Sequence, residues 1–396
     1  MRVLLAFDKF KDSMPADTAC DSAAEGLRAL RPDWEIETAP LTDGGEGFAR
    51  ILTKALGGEL VEVPVLDALG RLINAPYGRV DLSRVPQAAV DILRIGPTHG
   101  TLAVIGMAEA SGLEALRPEE RDPWQTTTYG TGQLVRHATE SGAAAILLGL
   151  GGSATNDCGL GALEAMGVLA YGHDHQPVRN LVPARWKLVA SLGGLFNLKS
   201  KSAPLRLACD VANPLLGPHG ATAVYGPQKG LKPEDFERLE RAMAKTADRL
   251  LGLAGVPATE FEARKAEPGA GAAGGIGFGL RTLLPDAAFV PGFETVAALL
   301  GLDERIRRAD IILTGEGKFD ESSLHGKAPA KIIAQAPANA AVRVFAGSVA
   351  LPPDRCPPRL SPAHVVAVTP ENMPLDEALR RGPELLEAAV RAHFRA

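Results

Sequence analysis

Eleven residues at positions 149–159, GLGGSATNDCG, place four glycines among serine, threonine, asparagine and aspartate directly behind the apolar run AAAILL. Successive glycines let backbone N–H groups approach an anion, and Ser153 and Thr155 add hydroxyl donors. The stretch therefore predicts a site for phosphate oxygens. The alternative is a tight turn from a strand into a helix that holds no ligand.

Three further loops carry acidic and basic side chains after apolar runs. DKFKDS follows RVLLAF, DGGEG at 43–47 follows EIETAP, and GEGKFDESS at 315–323 follows DIILT. We expect these loops to meet, because the carboxyl ends of parallel strands share one edge of a sheet. Carboxylates beside lysines suit Mg²⁺ and phosphate oxygens, although aspartate and glycine also form ordinary turns. The candidate acids are Asp8, Asp43, Glu46, Glu316 and Asp320, and the candidate bases are Lys9, Lys11 and Lys318.

A competing interpretation starts from the match of residues 149–154 to G-x-G-x-x-A, the dinucleotide-binding fingerprint. That fingerprint needs an acid at the end of the next strand, and only Asp174 is available, after a short and poor strand. A nicotinamide-dependent dehydrogenase is therefore the weaker alternative. No G-x-x-x-x-G-K-[ST] occurs, which excludes a P-loop.

Two more glycine-rich segments stand out. CDVANPLLGPHGATAVYGPQKG at 209–230 carries polar side chains that we expect to contact a partner, namely Asp210, Asn213, Tyr225, Gln228 and Lys229. PGAGAAGGIGFG at 268–279 predicts close approach of its backbone to a neighbour or a ligand, with a flexible linker as the alternative. Cys158 and Cys209 are interpreted as buried apolar residues, because no histidine motif accompanies them.

Composition narrows the class of protein. The 396 residues are 46% hydrophobic and 22% charged, and the formal net charge is −5 with scattered Lys and Arg. This pattern predicts neither nucleic acid nor a membrane as a partner. The four cysteines are far apart, which predicts a reducing cytoplasm without disulfides or zinc.

The elements indicate an α/β protein of two domains. RVLLAF and EIETAP predict strands, each followed by a helix, with Ser13 as the N-cap of the first and Gly57 ending the second. DIILTGEG, VRVFAG and HVVAVT repeat the strand pattern near the end, with a helix around APAKIIAQA. We expect residues 1–75 and 292–396 to form one Rossmann-like or flavodoxin-like domain, its parallel sheet built from both chain ends. Residues 76–291 would be an inserted mixed α/β domain that carries the glycine-rich motifs.

The motifs together resemble the type I glycerate kinases. FDKFKDSMPA is similar to the family's D-x-F-K-G-S-L-x-A, PLTDGGEG to P-L-x-D-G-G-E-G, and GLGGSATNDCG to G-L-G-G-S-A-T-N-D-x-G. DVANPLLGPHGATAVYGPQKG, GAAGGIGFGL and ADIILTGEGKFDESSLHGKAP continue in the family's order over nearly the whole chain. The resemblance implies ATP-dependent, Mg²⁺-assisted phosphorylation of D-glycerate, usually on the 2-hydroxyl, and two α/β domains.

Motif position and residue type then suggest roles for individual residues. The phosphates of ATP would be held by Gly151, Gly152, Ser153, Thr155 and Asn156. Mg²⁺ would be bound by Asp43, Glu46 and Glu316. Asp157 or Asp8 would be the base, and Lys11 and Lys229 would offset developing negative charge. D-glycerate would be bound by Lys11, Ser13 and Arg71.

Some positions depart from the family pattern. Lys9 and Asp12 stand where serine and glycine are usual, Cys158 where glycine is common, and Lys318 where arginine is frequent. The added acid at position 12 makes a kinase for a related hydroxy acid an alternative to a glycerate kinase. A hydroxy-acid sensor without catalysis is a further alternative. Kinases with a P-x-x-G-L-G-S-S-A loop are not matched, since no proline precedes GLGGSAT. The oligomeric state is also open, with a homodimer as one option.

Overall fold

The computed structural model describes residues 1–96, 99–195, 203–324 and 328–395. Residues 325–327, part of the last quoted motif, lie outside this set. The chain divides into two compact units. The terminal unit consists of residues 1–43 and 296–396, and the inserted unit of residues 44–295.

Strands are numbered here in chain order through the described residues. They are β1 Arg2–Phe7, β2 Glu35–Thr38, β3 Glu59–Leu66, β4 Leu72–Asp81, β5 Thr101–Gly106, β6 Ala145–Gly149, β7 Leu169–Tyr171, β8 Pro177–Val178, β9 Ser191–Gly193, β10 Leu205–Cys209, β11 Ala287–Pro291, β12 Ile311–Gly315, β13 Lys318–Phe319, β14 Ala341–Ala346, β15 Ser348–Val349 and β16 Val365–Ala367.

The α-helices are numbered in the same way. They are α1 Ala16–Arg28, α2 Phe48–Ala55, α3 Gln87–Leu93, α4 Ala108–Ser111, α5 Tyr129–Glu140, α6 Leu160–Met166, α7 Ala221–Tyr225, α8 Phe236–Ala254, α9 Phe261–Lys265, α10 Ile276–Leu283, α11 Gly292–Leu299, α12 Leu302–Arg308, α13 Ala328–Gln335, α14 Leu375–Arg380 and α15 Gly382–Arg395. No helix within the described ranges is both long and apolar enough to cross a membrane.

The terminal unit contains a five-stranded parallel sheet in the order β16-β14-β12-β1-β2. Numbered within the unit, this is the flavodoxin-like order 2-1-3-4-5, which confirms the fold expected from the two chain ends. The strands are apolar because helices cover the sheet, and β1 is buried from Val3 to Phe7. Helices α1 and α15 pack together, and a Cβ on Gly26 would lie 2.8 Å from the carbonyl oxygen of Glu387.

The inserted unit contains a six-stranded mixed sheet in the order β11-β10-β6-β5-β4-β3. The first four strands in that order are parallel, whereas β4 pairs antiparallel with both β5 and β3. A small antiparallel sheet, β8-β7-β9, belongs to the same unit. The main core lies on this mixed sheet and includes Tyr77, Leu148 and Leu207, each at most 1% exposed.

The N-terminal boundary expected at residue 75 differs from this division, because residues 44–75 lie in the inserted unit. The cause is a β-hairpin. Strand β3 pairs with β4 from Glu59 opposite Arg79 to Leu66 opposite Leu72, and β4 continues into pairing with β5. Helix α2 packs on the same three strands. The inserted unit ends at residue 295, whereas the sequence predicted that the inserted domain ends at residue 291.

The capping role predicted for Ser13 is wrong. Helix α1 begins at Ala16, and its N-cap position is Pro15, which has no side chain to accept a hydrogen bond. The hydroxyl of Ser13 instead donates to the carbonyl oxygen of Leu379 at 2.7 Å.

Candidate functional site

In the terminal unit, the switch point of the sheet lies between β1 and β12, where ligands bind in folds of this order. Register pairs Phe7 with Gly315, so Asp8 and Glu316 follow directly at the carboxyl ends of neighbouring strands. The Asp8 amide donates to the Gly315 carbonyl at 3.0 Å, which continues the pairing into the loops. Parallel topology alone therefore brings together two of the predicted acids.

Asp43 joins this edge through the loop after β2. The pKa of Asp8 is raised to about 7, first by burial and then by the negative charges of Asp43 and Glu316. The amide of Lys9 donates to the Asp8 carboxylate at 2.7 Å and opposes this rise. Asp43 and Glu316 are thus close enough to Asp8 to raise its pKa, and we call these three residues the acidic edge.

The basic residues of the nearby loops are more exposed. Lys11 is exposed and follows Phe10, whose backbone turns back to Met14. Lys318 is paired with Asp320 at 3.1 Å. A Cβ on Gly317 would lie 3.1 Å from the Lys11 amide, so the first loop lies against the loop after β12. The backbone of Lys11 therefore lies beside the loop that contains Glu316.

In the inserted unit, the glycine-rich loop follows β6 and contacts the DGGEG loop. The Gly151 amide already donates to the Gly44 carbonyl at 2.9 Å, so it is not available to phosphate in this conformation. The Gly152 carbonyl accepts from Leu113 at 2.7 Å. Within the described chain, the amides of Gly152 and Ser153 donate to no protein acceptor. Of the glycine-rich residues predicted to bind phosphate, Gly152 thus keeps an amide without a protein acceptor in the described chain, as does the neighbouring Ser153.

Lys229 supports this part of the loop from within the unit. Its side chain is 1% exposed, and its Nζ donates to Ser153 Oγ at 2.8 Å and to the Thr155 carbonyl at 2.6 Å. Burial lowers the pKa of Lys229 to about 7, although the Asp157 carboxylate acts in the opposite direction. The sequence separates Lys229 from the loop by more than seventy positions, yet the fold joins them.

Asp157 is fully buried and is saturated by hydrogen bonds. Its carboxylate accepts from the amide and the hydroxyl of Thr128, both at 2.8 Å, and from the amides of Gly159 and Gly161 at 3.0 and 3.2 Å. Burial raises its pKa, while these donors oppose the rise. The geometry favours a role in fixing the loop and the start of α6 over that of a base. Thr128, which the sequence did not single out, is its main partner.

Thr155 and Asn156, predicted to bind ATP, are also fully buried. The Asn156 amide donates to Thr222 Oγ1 at 3.1 Å. A Cβ on Gly274 would lie 2.0 Å from the Thr155 carbonyl, so segment 268–279 closes over this end of the loop. Neither side chain reaches solvent here, and the structure does not bring them together with an open phosphate site.

The close packing of segment 268–279 confirms the approach that its glycines predicted. A Cβ on Gly279 would lie 2.0 Å from the Cys158 carbonyl, and the Cys158 amide donates to Gly274. Burial raises the pKa of Cys158 well above that of an ordinary thiol, and that of Cys209 to about 11. Both cysteines are therefore poor nucleophiles.

The polar side chains of segment 209–230 largely contact one another. Tyr225 donates to Asn213 Oδ1 at 2.7 Å, and the Asn213 amide donates to the His219 carbonyl at 2.8 Å. Asp210 accepts from the Phe293 amide at 2.9 Å. Apart from Lys229, these groups hold the segment in place.

The three predicted metal ligands are divided between the two units. Asp43 and Glu316 lie in the terminal unit, whereas Glu46 lies in the inserted unit, where a Cβ on Gly152 would be 2.2 Å from its Oε1. No set of three acidic, histidine or cysteine side chains in the described part of the chain has the arrangement of a metal site. Mg²⁺ usually takes only one or two carboxylates together with substrate phosphates, and the acidic edge fits that requirement.

Arg71 is engaged by other carboxylates. Its guanidinium contacts Asp67 at 2.5 Å and Glu120 at 2.9 Å, at the turn between β3 and β4. The Asp67 carboxylate also accepts from the amides of Leu69 and Arg71. This geometry assigns Arg71 to the hairpin and leaves Lys11 as the better candidate cation for a carboxylate substrate.

Comparison with known proteins agrees with this architecture. A model of the glycerate kinase family matches residues 3–396. The chain belongs to the glycerate kinase family. A glycerate kinase from Halalkalibacterium halodurans is 35% identical over 391 residues, covering 98% of this chain and 96% of the relative. A glycerate 2-kinase from Escherichia coli strain K12 is 34% identical over 340 residues, covering 83% and 80%.

A solved structure shares the fold. The crystal structure of a Salmonella typhimurium LT2 protein described as a glycerate kinase 2 has a TM-score of 0.71 and 32% identity, covering 99% of this chain and 96% of that one. Membership of the glycerate kinase family makes this chain a phosphotransferase with an alcohol acceptor, and it implies use of ATP.

Proposed function

We propose that this protein transfers the γ-phosphoryl group of ATP to the 2-hydroxyl of D-glycerate. The carrying observation is that the Gly152 and Ser153 amides donate to no acceptor in the described chain, while Lys229 Nζ donates to Ser153 Oγ. Such donors stabilise negative charge on phosphate oxygens without reorganisation during the reaction. The relatives named glycerate kinase and glycerate 2-kinase support the choice of substrate and of hydroxyl.

We assign the phosphate chain of ATP to the inserted unit. The Gly152 and Ser153 amides and the Ser153 hydroxyl would donate to phosphate oxygens, and Lys229 would orient that hydroxyl and add positive charge. The Glu46 carboxylate beside Gly152 would approach a cation bound to the phosphates. Asp157, through Thr128 and the α6 amides, would keep the loop in its binding conformation.

We assign acceptor activation to the acidic edge of the terminal unit. The 2-hydroxyl oxygen attacks the γ-phosphorus, the bond from that phosphorus to the β-γ bridging oxygen breaks, and ADP leaves. The hydroxyl proton passes to a carboxylate oxygen of Asp8. Lys11 would bind the glycerate carboxylate. Asp43 and Glu316 would hold Mg²⁺, which would supply charge neutralisation for phosphoryl transfer.

Product analysis tests the proposed reaction. The purified protein is incubated with Mg-ATP and D-glycerate, and ADP release is followed. The product is then coupled to enolase with and without phosphoglycerate mutase. We expect glycerate-dependent ADP and coupling that does not require the mutase. Mutase-dependent coupling would overturn the assignment to the 2-hydroxyl, and no glycerate-dependent ADP would overturn the substrate.

A pair of variants tests the acceptor side. Asp8→Asn should lower kcat by about 100-fold, since general-base catalysis typically contributes about that factor or more. Asp21→Asn, an exposed aspartate on α1, is the matched control and should leave kcat unchanged. Equal activity of the two variants would remove Asp8 from the mechanism. When NADH is titrated with the same protein preparation, its fluorescence should not change. This result would distinguish the proposed kinase from a dehydrogenase.

The partners proposed are thus D-glycerate and Mg-ATP, with neither nucleic acid nor a membrane. A cytoplasmic location and a homodimer stay predictions from the sequence. Light scattering coupled to size-exclusion chromatography measures the oligomeric state.

A further inference from the structure

A groove of about 960 Å³ lies within the inserted unit. Its walls come from residues 119–125, 183–187 and 230–235 and from one side of α8. We call it the basic groove, because seven lining residues are lysine or arginine and three are acidic, in a chain whose net charge is −5. The volume suits a small molecule.

Helix α8 supplies most of the positive charge. Arg238, Arg241, Lys245 and Arg249 recur at spacings of three and four residues, which places them on one face of the helix. Like charges at these spacings repel one another and destabilise a helix, whereas nearby opposite charges offset the repulsion. Here Asp235 pairs with Arg238 at 2.7 Å and Glu237 with Arg241 at 3.2 Å, which leaves the C-terminal half of the stripe uncompensated.

Five of the seven cations form no ion pair with any residue that the structure describes, namely Arg121, Lys187, Lys232, Lys245 and Arg249. Like charges gathered in a concave site raise the local concentration of anions. The groove is therefore an electrostatic site for a multiply charged anion.

Two buried donors point to a ligand independently of net charge. Arg121 Nε and Trp124 Nε1 are buried, and neither has an acceptor in the described chain. Both residues line the groove, and Arg238 lies over the Trp124 ring at 4.4 Å. A buried donor without a partner is costly, so a side-chain adjustment that turned either group toward an oxyanion in the groove would be favoured.

The groove is joined to the glycine-rich loop through shared segments. Gly230 lines the groove and directly follows Lys229, whose Nζ bonds to Ser153. Gln125 lines it and precedes Thr126, whose hydroxyl donates to the Ala154 carbonyl at 3.0 Å. An occupant of the groove therefore contacts segments that also hold the loop.

We propose that the basic groove binds a phosphate-bearing small anion. Two sources share this chemistry, the nucleotide substrate itself and a separate phosphorylated effector. The inference stands on the groove alone and does not depend on glycerate as acceptor.

Tryptophan fluorescence reports on the site directly, because Trp124 and Trp186 line the groove and the third tryptophan, Trp34, belongs to the terminal unit. In a Trp34→Phe background, inorganic pyrophosphate is titrated at constant ionic strength. We expect a saturable change in emission. The double variant Lys245→Gln with Arg249→Gln should weaken the pyrophosphate Kd at least ten-fold. The control pair, Lys54→Gln with Arg136→Gln, removes two exposed charges elsewhere in the same unit and should not.

The source is identified in the same background. If ATP without glycerate displaces pyrophosphate and the groove variant raises the KM for ATP, the nucleotide occupies the groove. If the KM for ATP is unchanged while pyrophosphate binding is weakened, the ligand is a separate effector. Absence of a saturable signal, or equal Kd values in the groove and control variants, would overturn the proposal whether or not the protein phosphorylates glycerate.

Discussion

The ammonium group of Lys229 lies 2.8 Å from the hydroxyl of Ser153 and is enclosed almost completely by protein. Burying a lysine is costly unless its donors are satisfied, and here the Thr155 carbonyl is the second acceptor. The charged group of a buried lysine therefore contacts the loop that we propose binds the phosphates of ATP.

Replacing this lysine should damage catalysis more than stability. Lys229→Met retains an unbranched side chain for the cavity but removes the charge beneath Ser153. We expect kcat/KM for ATP to fall by about 100-fold, the typical loss when one preorganised electrostatic donor is removed. Steady-state kinetics measure this, and thermal unfolding checks the fold. Lys54→Met, on the exposed side of α2, should change neither, and near-normal turnover in Lys229→Met would contradict the assignment.

The lowered pKa of Lys229 predicts a pH dependence of stability. Because the folded-state pKa is about 7 and the ordinary value about 10.5, the unfolded chain binds the extra proton between these limits. The free energy of unfolding should therefore rise with pH from 7 upward, by at most about 1.4 kcal/mol per pH unit from this group. Urea unfolding at pH 7 and pH 9 measures the slope. Lys229 contributes the difference between the pH slopes of the free energy of unfolding in the wild type and in Lys229→Met. If the two slopes are equal, the pKa of Lys229 does not contribute to the pH dependence of stability.

Much of the terminal unit could be predicted because its signals are local. The apolar runs at β1 and β12 are bounded by charged loops, and parallel pairing then places Asp8 and Glu316 side by side. The predicted boundary at residue 75 differs from the division after residue 43 for the opposite reason. Nothing local to β3 and β4 shows that β4 will pair with β5, which follows about twenty residues later.

Asp157 should behave as a positioning residue. In Asp157→Asn the amide oxygen can replace the carboxylate oxygen that accepts from Thr128 and Gly161. The amide nitrogen must then face the Gly159 amide, so at least one hydrogen bond is lost. We expect a loss of about 1–3 kcal/mol in the free energy of unfolding, because the Gly159 amide is left as an unsatisfied buried donor. Calorimetry or urea unfolding measures it. A base would behave differently, since its loss would change the pH profile of the remaining kcat/KM without a comparable loss of stability.

Two of the departures from the family pattern have a backbone explanation. Asp12 and Cys158 both have positive φ, 60° and 53°, a backbone conformation that favours the glycine expected there from the family pattern. Aspartate tolerates this region better than most residues, so its presence at position 12 need not concern the substrate. The sequence alone could not show this, because φ is set by the turn from Phe10 to Met14.

Substitutions at position 12 test that explanation. Asp12→Gly should keep KM for D-glycerate and raise the free energy of unfolding by about 0.5 kcal/mol, because relief of strain exceeds the added chain entropy. Asp12→Ala should lower it by about 1 kcal/mol. Both are measured by thermal unfolding with parallel kinetics. A large rise in KM for D-glycerate in both variants would instead show that the Asp12 carboxylate acts on the substrate.

Arg71 and Lys11 form a matched pair for locating the carboxylate of the substrate. Arg71 is already held by Asp67 and Glu120 and is 48% exposed, whereas Lys11 forms no ion pair among the described residues. Lys11→Ala should therefore raise KM for D-glycerate by about ten-fold or more, the scale of one charge-assisted hydrogen bond. Arg71→Ala should leave that KM within about two-fold, because exposed ion pairs contribute roughly 0–1 kcal/mol and this one serves a hairpin. Steady-state kinetics at saturating ATP decide between them. A reversed result would place the glycerate carboxylate at the hairpin. The sequence could not show which of the two cations is free to bind substrate, since Glu120 approaches Arg71 only once the hairpin is packed.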